Sequence, residues 1–96
     1  MAICLTFDTD HMSEKNMAGW LSETEIFGCA TFYCGQRFDC LDETSHAQAP
    51  HPDFAGTTNF VEVIEKYQAM FPKSKTWRSH SLMFSQSICV ELFKRG

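Results

Sequence analysis

The sequence predicts an α/β fold with parallel strands, built from about four strand–helix units. Three observations carry this. Short apolar or β-branched runs alternate with stretches whose apolar residues recur at helical spacing. The helical stretches follow residues that cap helices. The polar residues able to do chemistry fall at the carboxyl ends of the strand runs, where parallel α/β folds keep their reactive groups. Ninety-six residues make at most one domain, taken here as residues 1–96. Parallel neighbours require right-handed crossovers, and four strands are too few to close a barrel, so the unit is a small open sheet or part of a larger barrel.

The elements follow in order. Ala2 to Phe7 is a compact apolar run ending in acids, as a buried strand reads. Ser13 can cap a helix that carries Met17, Trp20, Leu21 and Ile26 or Phe27 on one side, with Gly28 as its stop. Cys29 to Cys34 is β-branched and aromatic between Gly28 and Gly35, a second strand. Gln36 to Ser45 is polar and reads as a loop. His46 to Pro50 makes a short third strand, and Pro50 and Pro52 hold His51 extended between them. Asn59 and Glu62 have capping-box spacing, and Phe60, Ile64, Tyr67 and Phe71 then repeat at helical intervals up to Pro72. Lys75 to Ser79 is a fourth strand around Trp77. Ser81 or Ser85 opens the last helix, with Phe84, Ile88, Leu92 and Phe93 facing inward.

Composition narrows the function. The chain is 44% apolar and 21% charged, and its eight basic against twelve acidic residues give a net charge of −4. That balance argues against a nucleic-acid backbone or an anionic membrane as the main partner. No stretch approaches a membrane span, and the first residues lack the basic, apolar and small-residue pattern of a secretory signal. The five cysteines form no C-x-x-C pair and match no ordinary zinc or redox spacing. They read as buried or incidental thiols in a reducing compartment, and a cytoplasmic location is expected.

The chemistry-bearing residues gather at three strand ends. Asp8 and Asp10 follow the first strand, His51 the third, and Arg78 and His80 the fourth. Carboxylates two residues apart on extended backbone project to one side and repel unless a cation lies beside them. A catalytic zinc needs about three N/O protein ligands and an open position. The bland alternatives are that an Asp only caps the next helix and that His11 is a solvated loop residue.

Several stretches resemble the polysaccharide deacetylases, the NodB-homology superfamily or carbohydrate esterase family four. Thr6-Phe7-Asp8-Thr9-Asp10 is similar to the family's first motif, Thr-Phe-Asp-Asp-Gly, and Ala30-Thr31-Phe32-Tyr33 to its second strand. His51-Pro52-Asp53-Phe54 falls where the histidine motif belongs, and Trp77-Arg78-Ser79-His80-Ser81-Leu82 resembles the arginine motif. The resemblance implies the N-terminal half of a distorted TIM-like (β/α) barrel and a metal-dependent hydrolase that removes acetyl groups from sugars. Asp8 would be the general base, Arg78 would hold and aim it through a charge-assisted, at best bidentate contact, and Asp10 and His51 would be metal ligands. The family's second histidine falls on Ala55 here, which leaves His80 as third ligand, with His46 or His11 as substitutes. The implied cofactor is a divalent cation, zinc by preference or cobalt or nickel, and the implied substrate an acetylated sugar or polysaccharide.

The superfamily's barrel needs roughly twice this length. A half-barrel is therefore expected to act weakly or not at all alone, and to pair with a second copy or a missing C-terminal half. The alternative is a non-catalytic metal- or carbohydrate-binding module of the same fold. Trp77 or Phe54 offers a stacking platform for a sugar ring, although Trp77 more commonly fills an interior.

Overall fold

Three parallel strands, β1 (Leu5–Asp8), β2 (Ala30–Cys34) and β3 (Ala47–Pro50), lie in spatial order β1-β2-β3. The computed structural model describes residues 4–26, 28–56, 59–82 and 85–96. The helices are α1 (Glu14–Glu23), the single turn α2 (Asp39–Asp42), α3 (Phe60–Met70) and α4 (Gln86–Lys94). This is the expected α/β architecture, and the register is regular: Phe7 pairs with Phe32, Asp8 with Tyr33 and Cys34 with Pro50. The expected first residues of β1, Ala2 and Ile3, lie outside the described residues, as do Phe27 and Phe84.

Strand alternation decides what each side of the sheet does. Phe7 stacks on Phe32 at 5.0 Å, and both meet Trp20 of α1 edge-on. Phe32, Cys34, Met17, Phe38, Leu41, Tyr67 and Phe71 complete the main core. A smaller cluster of Phe54, Ile64 and Ile88 joins α3 to α4, and half-buried Trp77 packs against both. Phe54 is thus a core residue, 4% exposed, and does not offer a ring to a sugar.

The helix starts behave as their residues dictate. Ser13 accepts the Asn16 N–H, Asn59 accepts that of Glu62 while its own amide donates to the Glu62 carboxylate, and Ser85 accepts that of Ile88. Helix α1 stops at Glu23 rather than at Gly28, which occupies a left-handed conformation in the following loop (φ 81°). The polar stretch 36–45 is not all loop. Phe38 and Leu41, both fully buried, pull it inward as α2, and Gln48 pins it by accepting the Phe38 N–H and donating to the Phe38 carbonyl and Asp42. In α4 the inward pair is Ile88 and Leu92. Phe93 is 88% exposed because one residue past Leu92 rotates it about 100° off that stripe.

Residues 75–79 run extended beside the end of β3 but form no fourth strand. Arg78 donates its N–H to the Pro50 carbonyl (3.1 Å) and His80 to that of Pro52 (2.8 Å). A parallel ladder would return a bond from residue 52 to the Arg78 carbonyl. Pro52 has no N–H to give. The ladder ends there for want of a donor, and the Arg78 carbonyl is free to find another partner.

No cysteine is bonded to another among the described residues. Of the thiols read as buried or incidental, only Cys34 is buried; Cys4, Cys29 and Cys89 are exposed. Burial pushes the Cys34 thiol up to about 12, and burial with the Glu14 carboxylate beside it pushes Cys40 up to about 11. Iodoacetamide at mildly alkaline pH should therefore label Cys4, Cys29 and Cys89 well before Cys40 and Cys34, as peptide mass mapping would show. Early labelling of Cys34 would contradict the packing described.

Candidate functional site

The site is assembled from two turns and one broken ladder. After β1, Thr9 donates its N–H to the Tyr33 carbonyl, and its own carbonyl accepts from Met12, closing a turn whose central residues are Asp10 and His11. Asp10 takes a left-handed conformation there (φ 50°), which Asp tolerates better than most side chains. After β3, His51 donates its N–H to Cys34 and stands between two buried prolines. His80 opens a single 3₁₀ turn (His80–Leu82) in which Ser81 is also left-handed (φ 56°). Left-handed non-glycine residues thus flank the site on both sides, a placement common where function fixes backbone geometry.

His51 is oriented by the missing ladder bond. Its Nδ1 lies 2.7 Å from the Arg78 carbonyl, the acceptor that Pro52 leaves unserved. A carbonyl only accepts, so Nδ1 carries the proton and Nε2 presents a lone pair. That Nε2 is 3.1 Å from Oδ1 of Asp10, and Nδ1 of His80 is 3.3 Å from the same oxygen. A lone pair on His51 Nε2 facing a carboxylate oxygen at 3.1 Å repels it unless a proton or a cation lies between them.

One divalent cation could be held by all three donors at once. Ligand atoms 2.0–2.2 Å from a tetrahedral ion stand about 3.3–3.6 Å from one another. Asp10, His51 and His80 offer donor atoms all within 4.8 Å of each other, so modest tightening gives that geometry. The donor set of two imidazoles and one carboxylate suits zinc and its neighbours, and an Nδ1–H donated to a carbonyl behind His51 is the usual support for such a ligand. The cleft here is about 180 Å³ and is lined by these three residues together with His11, Gln36, Asp53 and Tyr67.

Other expected residues fall in different places. Arg78 donates from one nitrogen to Asp8 (2.7 Å) and from the other to Thr6 (3.2 Å), so the Asp8 contact is single, not bidentate. The guanidinium also lies 4.2 Å from the centre of the Tyr33 ring. These contacts hold Asp8 on the sheet face shared by Thr6 and Tyr33, and Asp8 is not among the residues lining the cleft. His46 is at the wrong end of the sheet. It precedes β3, its Nδ1 accepts the Ala30 N–H (2.9 Å) and its ring rests on Phe32, so it closes the amino end of β2 rather than substituting as a ligand.

Gly35 and Tyr67 are positioning residues that the sequence reading did not single out. A Cβ on Gly35 would lie 2.7 Å from the Asp10 carbonyl oxygen, a distance at which the backbone must move. Gly35 also donates to Thr9 Oγ1 (3.3 Å) and accepts from the Tyr67 hydroxyl (3.1 Å). Burial first, then the Asp53 charge, raises the Tyr67 phenol above its ordinary value, which keeps it a donor. Gly35→Ala should weaken cation binding by about tenfold or more while costing about 1–3 kcal/mol of stability, since it displaces the ligand turn rather than the core. Calorimetric zinc titration beside thermal melting checks this, and unchanged affinity would contradict the role.

Comparison with known proteins comes to the same fold. A family model described as WbmS-like polysaccharide deacetylase matches residues 5–96. A solved structure from Bordetella bronchiseptica, described as a candidate polysaccharide deacetylase involved in O-antigen biosynthesis, superposes on 95% of this chain with a TM-score of 0.74 and 22% identity. The chain spans 42% of that protein's length. No curated protein sequence matches the chain.

Proposed function

Since the chain belongs to the WbmS-like polysaccharide deacetylase family, we propose that it is a metal-dependent hydrolase that removes acetyl groups from a sugar or polysaccharide. In this reading Asp10, His51 and His80 hold the cation, Asp8 is the general base and Arg78 positions it. The observation that carries the reading is the convergence of an acid and two imidazoles, far apart in sequence, on one cleft at the carboxyl ends of the strands. A divalent cation, zinc by preference or cobalt or nickel, supplies there a Lewis acid for the acetyl carbonyl and acidifies water beside it.

The chain's own groups do the rest. Arg78 engages Oδ1 of Asp8, which leaves Oδ2 to accept the proton of the attacking water. Thr6 and Tyr33 hold the guanidinium from its other sides, so the carboxylate keeps one orientation. Gln36 gives the cleft a polar group suited to sugar hydroxyls. Among the described residues no helix is long and apolar enough to cross a membrane, and the free thiols fit a reducing cytoplasm. The open edge of β1 is where a second copy, or the remaining strands of a full barrel, would pair.

A second reading, a non-catalytic cation- or carbohydrate-binding module, is favoured by one observation: Asp8 does not line the cleft that holds the other three. Acetate release from N-acetylated and O-acetylated oligosaccharides by the zinc-loaded protein separates the two. The hydrolase reading expects slow release from this chain alone, with Asp8→Asn lowering it about 10²–10⁴-fold at unchanged zinc content. Bound zinc without any acetate release would support the binding module instead.

A further inference from the structure

The cleft holds more donors than one cation uses. His11 and Asp53 stand on its outer lip, with His11 Nε2 3.9 Å from Asp53 Oδ2. The His11 ring lies 5.3 Å from that of His80, and donor atoms of His11, Asp53 and His80 all fall within 4.8 Å of one another. The same two turns that build the inner set build this one. The turn after β1 supplies Asp10 to the inner set and His11 to the outer; the chain after β3 supplies His51 and then, past Pro52, Asp53. Asp53 is held in place, because its Oδ1 accepts the Ala55 N–H (2.9 Å) and its Oδ2 is left to face His11.

We propose that His11, Asp53 and His80 form a second seat for a divalent cation, adjacent to the Asp10–His51–His80 seat and weaker than it. The inference rests on the reading of that inner seat as a cation site. Two features make the outer seat the weaker. The His11 and Asp53 side chains are 77% and 35% exposed, so binding must order them against solvent. His80 is common to both sets, and a neutral imidazole presents a single lone pair, so an inner cation that engages His80 leaves the outer one with two protein ligands and water.

Titration of the metal-free protein with Zn²⁺, followed by calorimetry and repeated with Co²⁺ by visible absorption, tests this. The unaltered protein should show two classes of site, the second at least about tenfold weaker. His11→Ala and Asp53→Asn, the latter keeping an acceptor for the Ala55 N–H, should each remove the weak class and keep the tight one. Asp10→Ala should do the reverse. A single tight class that Asp10→Ala abolishes would overturn the outer seat alone, as would a weak class that survives both outer variants. Failure to bind either ion would overturn the outer seat and the inner one together.

Discussion

Asp10→Ala should lower the affinity of the tight cation site by about 10²–10³-fold and leave the fold standing. Structural zinc sites with four ligands gain about 10–16 kcal/mol at neutral pH, so one ligand accounts for roughly 2.5–4 kcal/mol. Asp10 carries more than its share of the geometry, because both imidazole nitrogens meet its Oδ1, at 3.1 and 3.3 Å. Its removal leaves two neutral ligands and no negative charge in the inner set. The fold should tolerate the change, since the Asp10 side chain is 60% exposed and contributes nothing to the core. Alanine also relieves no burial, although it is less at ease than Asp in the left-handed conformation at this position. Calorimetric titration with zinc reads the loss directly. An affinity within about threefold of the unaltered protein would mean that Asp10 is not a ligand.

Phe32→Ala should destabilise the chain by about 3–5 kcal/mol, the usual range for truncating a buried aromatic. Phe32 is 1% exposed at the centre of β2 and touches the rings of Phe7, Trp20 and His46. A domain of this size commonly has only about 5–15 kcal/mol in total, so the variant should be partly unfolded at physiological temperature. Cation binding then becomes a counterweight: zinc at about 1,000 times its dissociation constant adds about 4 kcal/mol to the folded state. Melting curves should show Phe32→Ala rescued by zinc, with the rescue lost when Asp10→Ala is added. A variant that melts like the unaltered protein would show that the core is not organised around this ring.

The parts of the fold that could be read from sequence are those whose cause is local. Ser13, the Asn59–Glu62 pair and Ser85 cap their helices by contacts within three residues. The strands announce themselves by apolar or β-branched runs. What escaped the sequence has non-local causes. The turn α2 exists because Phe38 and Leu41 find a core and Gln48 reaches across to pin the backbone, and four residues are too few to show a period. The fourth strand is lost to the proline that was expected only to keep His51 extended. Phe93 belongs to the apolar pattern of α4 by composition but stands off its buried stripe.

The candidate site was readable to a similar depth. Strand-end placement identified Asp10, His51 and His80 as a group, and the structure brings them within reach of one ion. His46, offered only as a substitute for the family's missing second histidine, precedes its strand and so falls at the opposite end of the sheet. Asp8 and Arg78 do pair, yet the direction in which they face depends on strand alternation and on Tyr33 and Thr6, which sequence spacing alone does not resolve. Gly35 gave no signal beyond ending β2, because its importance lies in the closeness of the Asp10 carbonyl.

Anomalous diffraction from crystals grown with one equivalent of zinc, recorded on both sides of the zinc edge, locates the ion without reference to activity. A single strong peak is expected about 2.0–2.2 Å from an Asp10 carboxylate oxygen, His51 Nε2 and a His80 ring nitrogen. A fully loaded protein with its zinc elsewhere, or with His51 turned away from it, would contradict the shared seat on which the functional reading stands.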